Sequence, residues 1–171
     1  IVNRLVFIVV MIVMGLNQGM QPIAGYNFGA KLYGRVNKVL KLTIIYATAV
    51  TTFGFLVGML VPDLVVGIFT SDAELTELSV TGLRITVMFF PIIGFQMVTS
   101  NFFQSIGMAG KAIFLSLTRQ MLILLPCLLI LPQFFGVAGV WYSMPVSDLL
   151  ASLIALVMLV CQFRKFRTSP L

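Results

Sequence analysis

Few side chains in this chain can do chemistry, and most of them stand inside apolar runs. In the stretch GLNQGMQPIAGYNFGAKLYGR (15–35), Gln18, Gln21 and Gly25 recur at i, i+3, i+7, one face of a helix. Asn17 lies four residues before Gln21 on an adjoining face. Further along, Gln96, Ser100 and Gln104 form a second helical stripe with Asn101 beside it. Amides and hydroxyls so spaced can hydrogen-bond varied organic molecules without demanding one charge. The same groups can serve equally as hydrogen-bond glue between helices in lipid. Gln18, Gln21, Gln96, Asn101 and Gln104 are therefore the candidates for lining a polar cavity, with glue as the competing reading. Asp148 is the one carboxylate well inside an apolar run. An acid carried into hydrocarbon loses hydration, so it either exchanges a proton or pairs with a cation. Arg119, about a third of the way into the preceding run, is the available cation. At 1.5 Å rise per residue their depths differ by about 9 Å, a gap that a long arginine side chain partly bridges. Asp148 and Arg119 are thus read as a charge network or a coupling site.

Other chemistries are missing from the sequence. There is no histidine, which removes the commonest proton shuttle and metal ligand. No glycine-flanked serine elbow, phosphate-cradling glycine loop or metal-spaced His/Cys set occurs. Neither an enzyme nor a metal or organic cofactor is expected. Cys127 and Cys161 belong to different runs at different depths, and no disulfide between them is expected.

The elements that must position these groups follow from composition. Of 171 residues, 60% are hydrophobic and 9% charged. A soluble domain carries about 25% charged residues, so the bilayer is the expected solvent. Five runs reach the roughly 20 apolar residues that a spanning helix needs, at about 5–25, 39–61, 82–106, 112–132 and 138–161. They are continuous and too long for barrel strands, which alternate over about ten residues. The fold class expected is an all-α integral membrane protein, with no room for a separate soluble domain. Every run but the second holds a proline, at Pro22, Pro91, Pro126 and Pro145, and a kink is expected at each. Gly15-xxx-Gly19, Gly25-xxx-Gly29 and Gly54-xxx-Gly58 are expected to bring helix backbones close together. Between the second and third runs, Ser71-x-x-Glu74 fits a capping box that opens a short helix leading into the third. The chain starts with Ile and enters the first run almost at once, which reads as the C-terminal part of a longer protein.

The net charge of +6 is distributed by side. If the five runs alternate, Lys31, Arg35, Lys38, Lys41, Lys111, Arg119, Arg164, Lys165 and Arg167 fall on one side. Arg4 and Arg84 fall on the other, with Asp63, Asp72, Glu74 and Glu77. This is the positive-inside pattern, which puts the 26–41 segment and the C-terminus in the cytoplasm. The basic residues then meet anionic lipid, and no nucleic-acid partner is expected.

The opening motif, G-x-x-Q-x-x-Q-P followed by Y-N-x-G-A-K and a basic segment, resembles the eighth helix of the multidrug and toxic compound extrusion (MATE) transporters. Further stretches agree in order: IFTSDAEL, Leu83-Arg84-Ile85, Arg119…Pro126…Leu131-Pro132…Phe135-Gly136…Gly139-Val140-Trp141, and Pro145-Val146-Ser147-Asp148. The resemblance implies the last five of twelve helices, most of a six-helix C-terminal lobe. It implies a cavity between two lobes, alternating access, and export of cationic or amphipathic organic compounds in exchange for H⁺ or Na⁺ across the cytoplasmic membrane. The absent N-terminal lobe is then a partner, and the small organic substrates and the lipid bilayer are the others. In the segment matching the tenth helix, only Gln96, Asn101 and Gln104 are large polar residues, where some relatives carry a carboxylate. A lipid-linked oligosaccharide flippase of the same superfamily would be expected to hold basic cavity residues for a pyrophosphate, and none of the five cavity candidates is basic. A non-transporting structural subunit is the remaining alternative, disfavoured by four internal prolines and two polar stripes.

Overall fold

The computed structural model describes residues 1–168, and every element among them is helical. The helices are α1 (Val2–Gly29), α2 (Tyr33–Leu60), α3 (Pro62–Gly67), α4 (Ala73–Val87), α5 (Phe90–Ser105), α6 (Ala109–Leu117), α7 (Leu125–Phe135) and α8 (Val137–Thr168), with a π-helical turn at Thr118–Leu124 joining α6 to α7. Four continuous stretches are long and apolar enough to cross a membrane: 2–29, 33–60, 109–135 and 137–167. The pair α4 and α5 makes a fifth, bent by 52°. The helices extend past the ends expected from hydropathy because the flanking polar residues continue the backbone hydrogen-bond ladder outside the apolar stretch.

The prolines act in two ways. Pro91 lies in the first turn of α5. It has no N–H to give the carbonyl of Val87, and its ring would strike that carbonyl in a continuous helix. Val87 is where α4 ends, so the bend between α4 and α5 follows from this residue. Pro126 opens α7, directly after the π turn, where the widened ladder makes room for the missing donor. Pro22 and Pro145, by contrast, sit inside α1 and α8 without ending them.

α4 starts one residue later than the capping box implies. Its N-cap is Asp72 rather than Ser71, and the Asp72 carboxylate accepts from the N–H groups of Glu74 (3.0 Å) and Leu75 (3.3 Å). A carboxylate at this position satisfies the first free donors and complements the helix dipole, so it outcompetes the serine hydroxyl beside it.

α5 is the hub of the fold. It packs on α1, α2, α6 and α8, and its buried Val98, Phe102 and Phe103 meet Val13, Met20 and Ala24 of α1, Leu40 and Ala47 of α2, and Ala155 and Leu159 of α8. A second cluster at the opposite end joins Val2, Val66, Leu83, Val87, Phe90 and Ile93. The close approaches depend on particular glycines. A Cβ on Gly94 would sit 2.9 Å from the Ala47 carbonyl oxygen, and one on Gly139 only 2.5 Å from that of Leu131. Gly136, at φ +64°, supplies the left-handed turn that folds α7 back onto α8.

The three Gly-xxx-Gly pairs do not behave alike. Gly54 and Gly58 lie against Val9 and Val87, and Gly25 against the Ser105 carbonyl. Gly15, Gly19 and Gly29 have open space above them and pack against nothing among the described residues. For Gly15 and Gly19 the expected close packing is corrected, because they belong to the exposed face of α1 that also carries Gln18.

Candidate functional site

The polar side chains fall into two groups. The first joins α1 to α5. Gln21 donates from Nε2 to Asn101 Oδ1 at 3.1 Å, and Asn101 in turn donates from Nδ2 to the Met97 carbonyl at 3.0 Å. Gln18, one turn before Gln21, is exposed. Asn17 is 2% exposed, and neither its amide nitrogen nor its oxygen has a hydrogen-bond partner among the described residues. The two candidate stripes therefore meet through a single amide pair.

The rest of the α5 stripe divides. Gln96 is buried within the bundle. Gln104 is exposed and lines a groove with Ser100 and with Ser116 of α6, the two serine hydroxyls standing 3.5 Å apart. The five candidates thus do not form one continuous patch in this chain. Gln18, Gln21 and Asn101 cluster on the α1–α5 side, Gln104 faces α6, and Gln96 is inside. Successive helical residues point about 100° apart, so Ser100 and Asn101 serve different neighbours.

The second group surrounds Asp148. Its side chain is 7% exposed, and both Nη2 (2.8 Å) and Nε (2.9 Å) of Arg119 reach its Oδ1. The side chain of Arg119 remains 32% exposed. Ser147, the neighbour of Asp148, donates to the Arg119 carbonyl at 3.4 Å. Arg119 belongs to the π turn. From this turn the guanidinium reaches contact distance of Asp148, closing the gap that the depth offset of about 9 Å left only partly bridged. The pair lines a cavity of about 180 Å³ together with Asn3 of α1, Thr86 of α4 and Ser147 of α8. Val6, Phe90, Ile93, Leu124 and Met144 complete its lining, so the polar groups share the cavity with an equal number of apolar residues. Among the described residues no cluster of three or more His, Cys, Asp or Glu is suited to a metal.

Sequence reasoning did not find this cavity, because Asn3 and Thr86 come from distant segments and Ser147 looked like an ordinary helix serine. The serines at 143, 147 and 152 were the available signal. Ser143 and Ser152 turn back onto carbonyls of α8 itself, at Gly139 and Asp148, whereas Ser147 reaches across to Arg119.

The two ends of the bundle differ in charge. At one end Lys111 of α6 donates to Gln162 of α8 at 2.8 Å, and Phe28, Tyr33 and Phe166 cluster where the α1–α2 junction meets the end of α8. Lys31, Arg35 and Arg167 flank this end. The carboxylates of Asp63, Asp72, Glu74 and Glu77 belong to α3 and α4 at the other.

The chain matches the family model MatE over residues 1–130. It is 28% identical over 153 residues to "Multidrug export protein MepA" of Staphylococcus aureus (strain MSSA476), covering 90% of this chain and 34% of the relative. The chain spans about a third of the length of the curated relatives it matches. Among solved structures, the MATE multidrug transporter DinF-BH superposes with a TM-score of 0.89 at 37% identity, over 98% of this chain and 38% of that one. Structures described as the inward-facing and the outward-facing conformation of a multidrug resistance MATE family transporter of the MOP superfamily each give a TM-score of 0.89. Their identities are 19% and 18%, over 99% of this chain and 40% and 38% of theirs.

Proposed function

This chain belongs to the MatE family, and from that membership we propose that it forms most of the second lobe of a multidrug exporter. The lobe works by alternating access, driven by inward movement of H⁺ or Na⁺ across the cytoplasmic membrane. Its substrates are cationic or amphipathic organic compounds. The basic end faces the cytoplasm, since the positive-inside bias is the orientation signal in short loops.

One observation carries this reading. The face of α1 bearing Gly15, Gln18 and Gly19 is exposed and covered by nothing among the described residues, and the Gln21–Asn101 amide pair lies at its margin. A glutamine exposed at mid-span among apolar residues is costly against lipid, so it faces protein or a cavity. In this reading the other lobe lies across it, with the substrate between them. Carbonyl and amide groups suit amphipathic cations because they offer hydrogen bonds without trapping the ligand in a single strong ion pair. The likeness of this lobe to both an inward-facing and an outward-facing transporter, at equal TM-scores, supports a lobe that moves as a unit. Asp148, held by Arg119 beside a small cavity, is the carboxylate that this chain offers for coupling from within an apolar run.

The test is efflux by the full-length protein in a strain lacking its own pumps. Added resistance to cationic dyes, abolished by a protonophore or by removal of Na⁺, is the expected result. Unchanged dye accumulation would refute the exporter reading.

A further inference from the structure

We propose that the cleft between the start of α2 and the end of α8 is a binding site for the headgroup of an anionic phospholipid, of the phosphatidylglycerol type. It rests on the chain being a membrane-spanning bundle and is independent of what, if anything, the protein transports.

Two helical stripes build the cleft. Tyr33, Asn37 and Lys41 recur every fourth residue on α2, and Val160, Arg164 and Arg167 recur at i, i+4, i+7 on α8. Both spacings put their members on one helix face. Together with Phe163 and Phe166 they enclose about 390 Å³. Three of the lining residues are cations, and none of the chain's five Asp and Glu carboxylates lines it. Tyr33 and Phe166 stack with ring centroids 4.8 Å apart and close one end.

The position identifies the ligand. The cleft lies where two apolar spans end in basic residues, the depth at which phosphates of a bilayer stand and at which aromatic rings anchor. Away from the cleft the two helices present Ile45 on α2 and Leu153 and Val157 on α8, all more than half exposed, an apolar track for acyl chains. A free phosphate would use the cations alone and leave that track unused. Asn37 narrows the class further. Its Oδ1 is buried with no hydrogen-bond partner among the described residues. Orphaned buried acceptors are costly, so this one calls for a donor, which the glycerol hydroxyls of phosphatidylglycerol provide and the quaternary headgroup of phosphatidylcholine lacks.

The experiment uses the full-length protein, delipidated in neutral detergent, with lipid adducts counted by native mass spectrometry. Phosphatidylglycerol, phosphatidic acid and phosphatidylcholine are titrated in parallel. Wild type is expected to retain phosphatidylglycerol over phosphatidylcholine, and K41Q/R164Q/R167Q to lose that preference by about tenfold or more, since each cation near an anionic lipid contributes severalfold. The control K31Q/R35Q, basic residues of the same end outside the cleft, is expected to keep it. Equal loss in the control would overturn the proposal in favour of diffuse surface attraction. Displacement of the lipid by millimolar inorganic phosphate would overturn it in favour of a free-anion site. A second measurement needs no variant. A photoactivatable phosphatidylglycerol in wild-type membranes should crosslink to peptides covering 33–41 and 160–167, and labelling spread evenly over the other lipid-facing helices would contradict a built site.

Discussion

Cutting the Arg119–Asp148 pair should destabilise the lobe, and deleting both partners should restore most of what is lost. Asp148 is almost fully enclosed and takes both arginine contacts on one oxygen, at 2.8 and 2.9 Å. Removing one member of a buried pair costs about 3–5 kcal/mol, because the other charge stays behind in a poorly solvating site. Arg119 is about a third exposed, so part of that cost is relieved by water, and exposed pairs are worth about 0–1 kcal/mol. The expected loss for Asp148→Leu is therefore about 2–3 kcal/mol. For Arg119→Met it should lie at the upper end, since the carboxylate left behind is the more enclosed group. The double variant fills the same space with apolar atoms and should lie within about 1 kcal/mol of wild type, so the two single losses exceed the double loss by about 4–6 kcal/mol. The assay is thermal unfolding of the full-length protein in detergent through the four-member cycle. At about 2–4 °C per kcal/mol, each single variant should melt about 4–10 °C lower and the double should recover most of it. Single losses that simply add in the double variant would refute the pairing argument.

Other expectations follow from contacts elsewhere. Gly139→Ala puts a methyl 2.5 Å from the Leu131 carbonyl oxygen, backbone against backbone, and should cost about 2–3 kcal/mol, seen as a lowered melting temperature with poor monodispersity. Asp72→Ala removes the side-chain acceptor from the first turn of α4 and should cost about 1 kcal/mol, with faster amide exchange confined to the beginning of that helix. Lys111→Met strands the oxygen of Gln162, a residue only 2% exposed, and should cost about 1–3 kcal/mol, with exchange rising where α6 meets α8.

Much of the fold could be read from the sequence because lipid imposes simple rules. Long apolar runs with few charges become helices, and Arg119 and Asp148, the opposite charges farthest inside those runs, find each other. The neighbourhood of Gln21 and Asn101 was also within reach, as each sits ten residues before a lysine, Lys31 and Lys111, on helices that run the same way. What the sequence concealed was rotation about the helix axes. The α5 stripe looked like one surface, yet Asn101 turns to α1 and Ser100 and Gln104 to α6. Gly15 and Gly19 looked like a packing motif, yet nothing among the described residues covers them. The π turn at Thr118–Leu124, in which Arg119 stands, was invisible to hydropathy, which does not register a single widened turn.

The central claim is that the α1–α5 amide pair belongs to a substrate cavity rather than to packing alone. The measurement that reaches it most directly is the affinity of purified full-length protein for a fluorescent cationic dye, in wild type, Gln21→Ala and Asn101→Ala, with thermal unfolding recorded on the same samples. A single neutral hydrogen bond is worth about 0.5–1.5 kcal/mol, so glue would register in the melting curve and leave the dye untouched. Dye Kd values should rise about fivefold or more in both variants, on top of the small fall in melting temperature that loss of their mutual hydrogen bond brings in either case. Unchanged Kd values with lowered melting temperatures would contradict it.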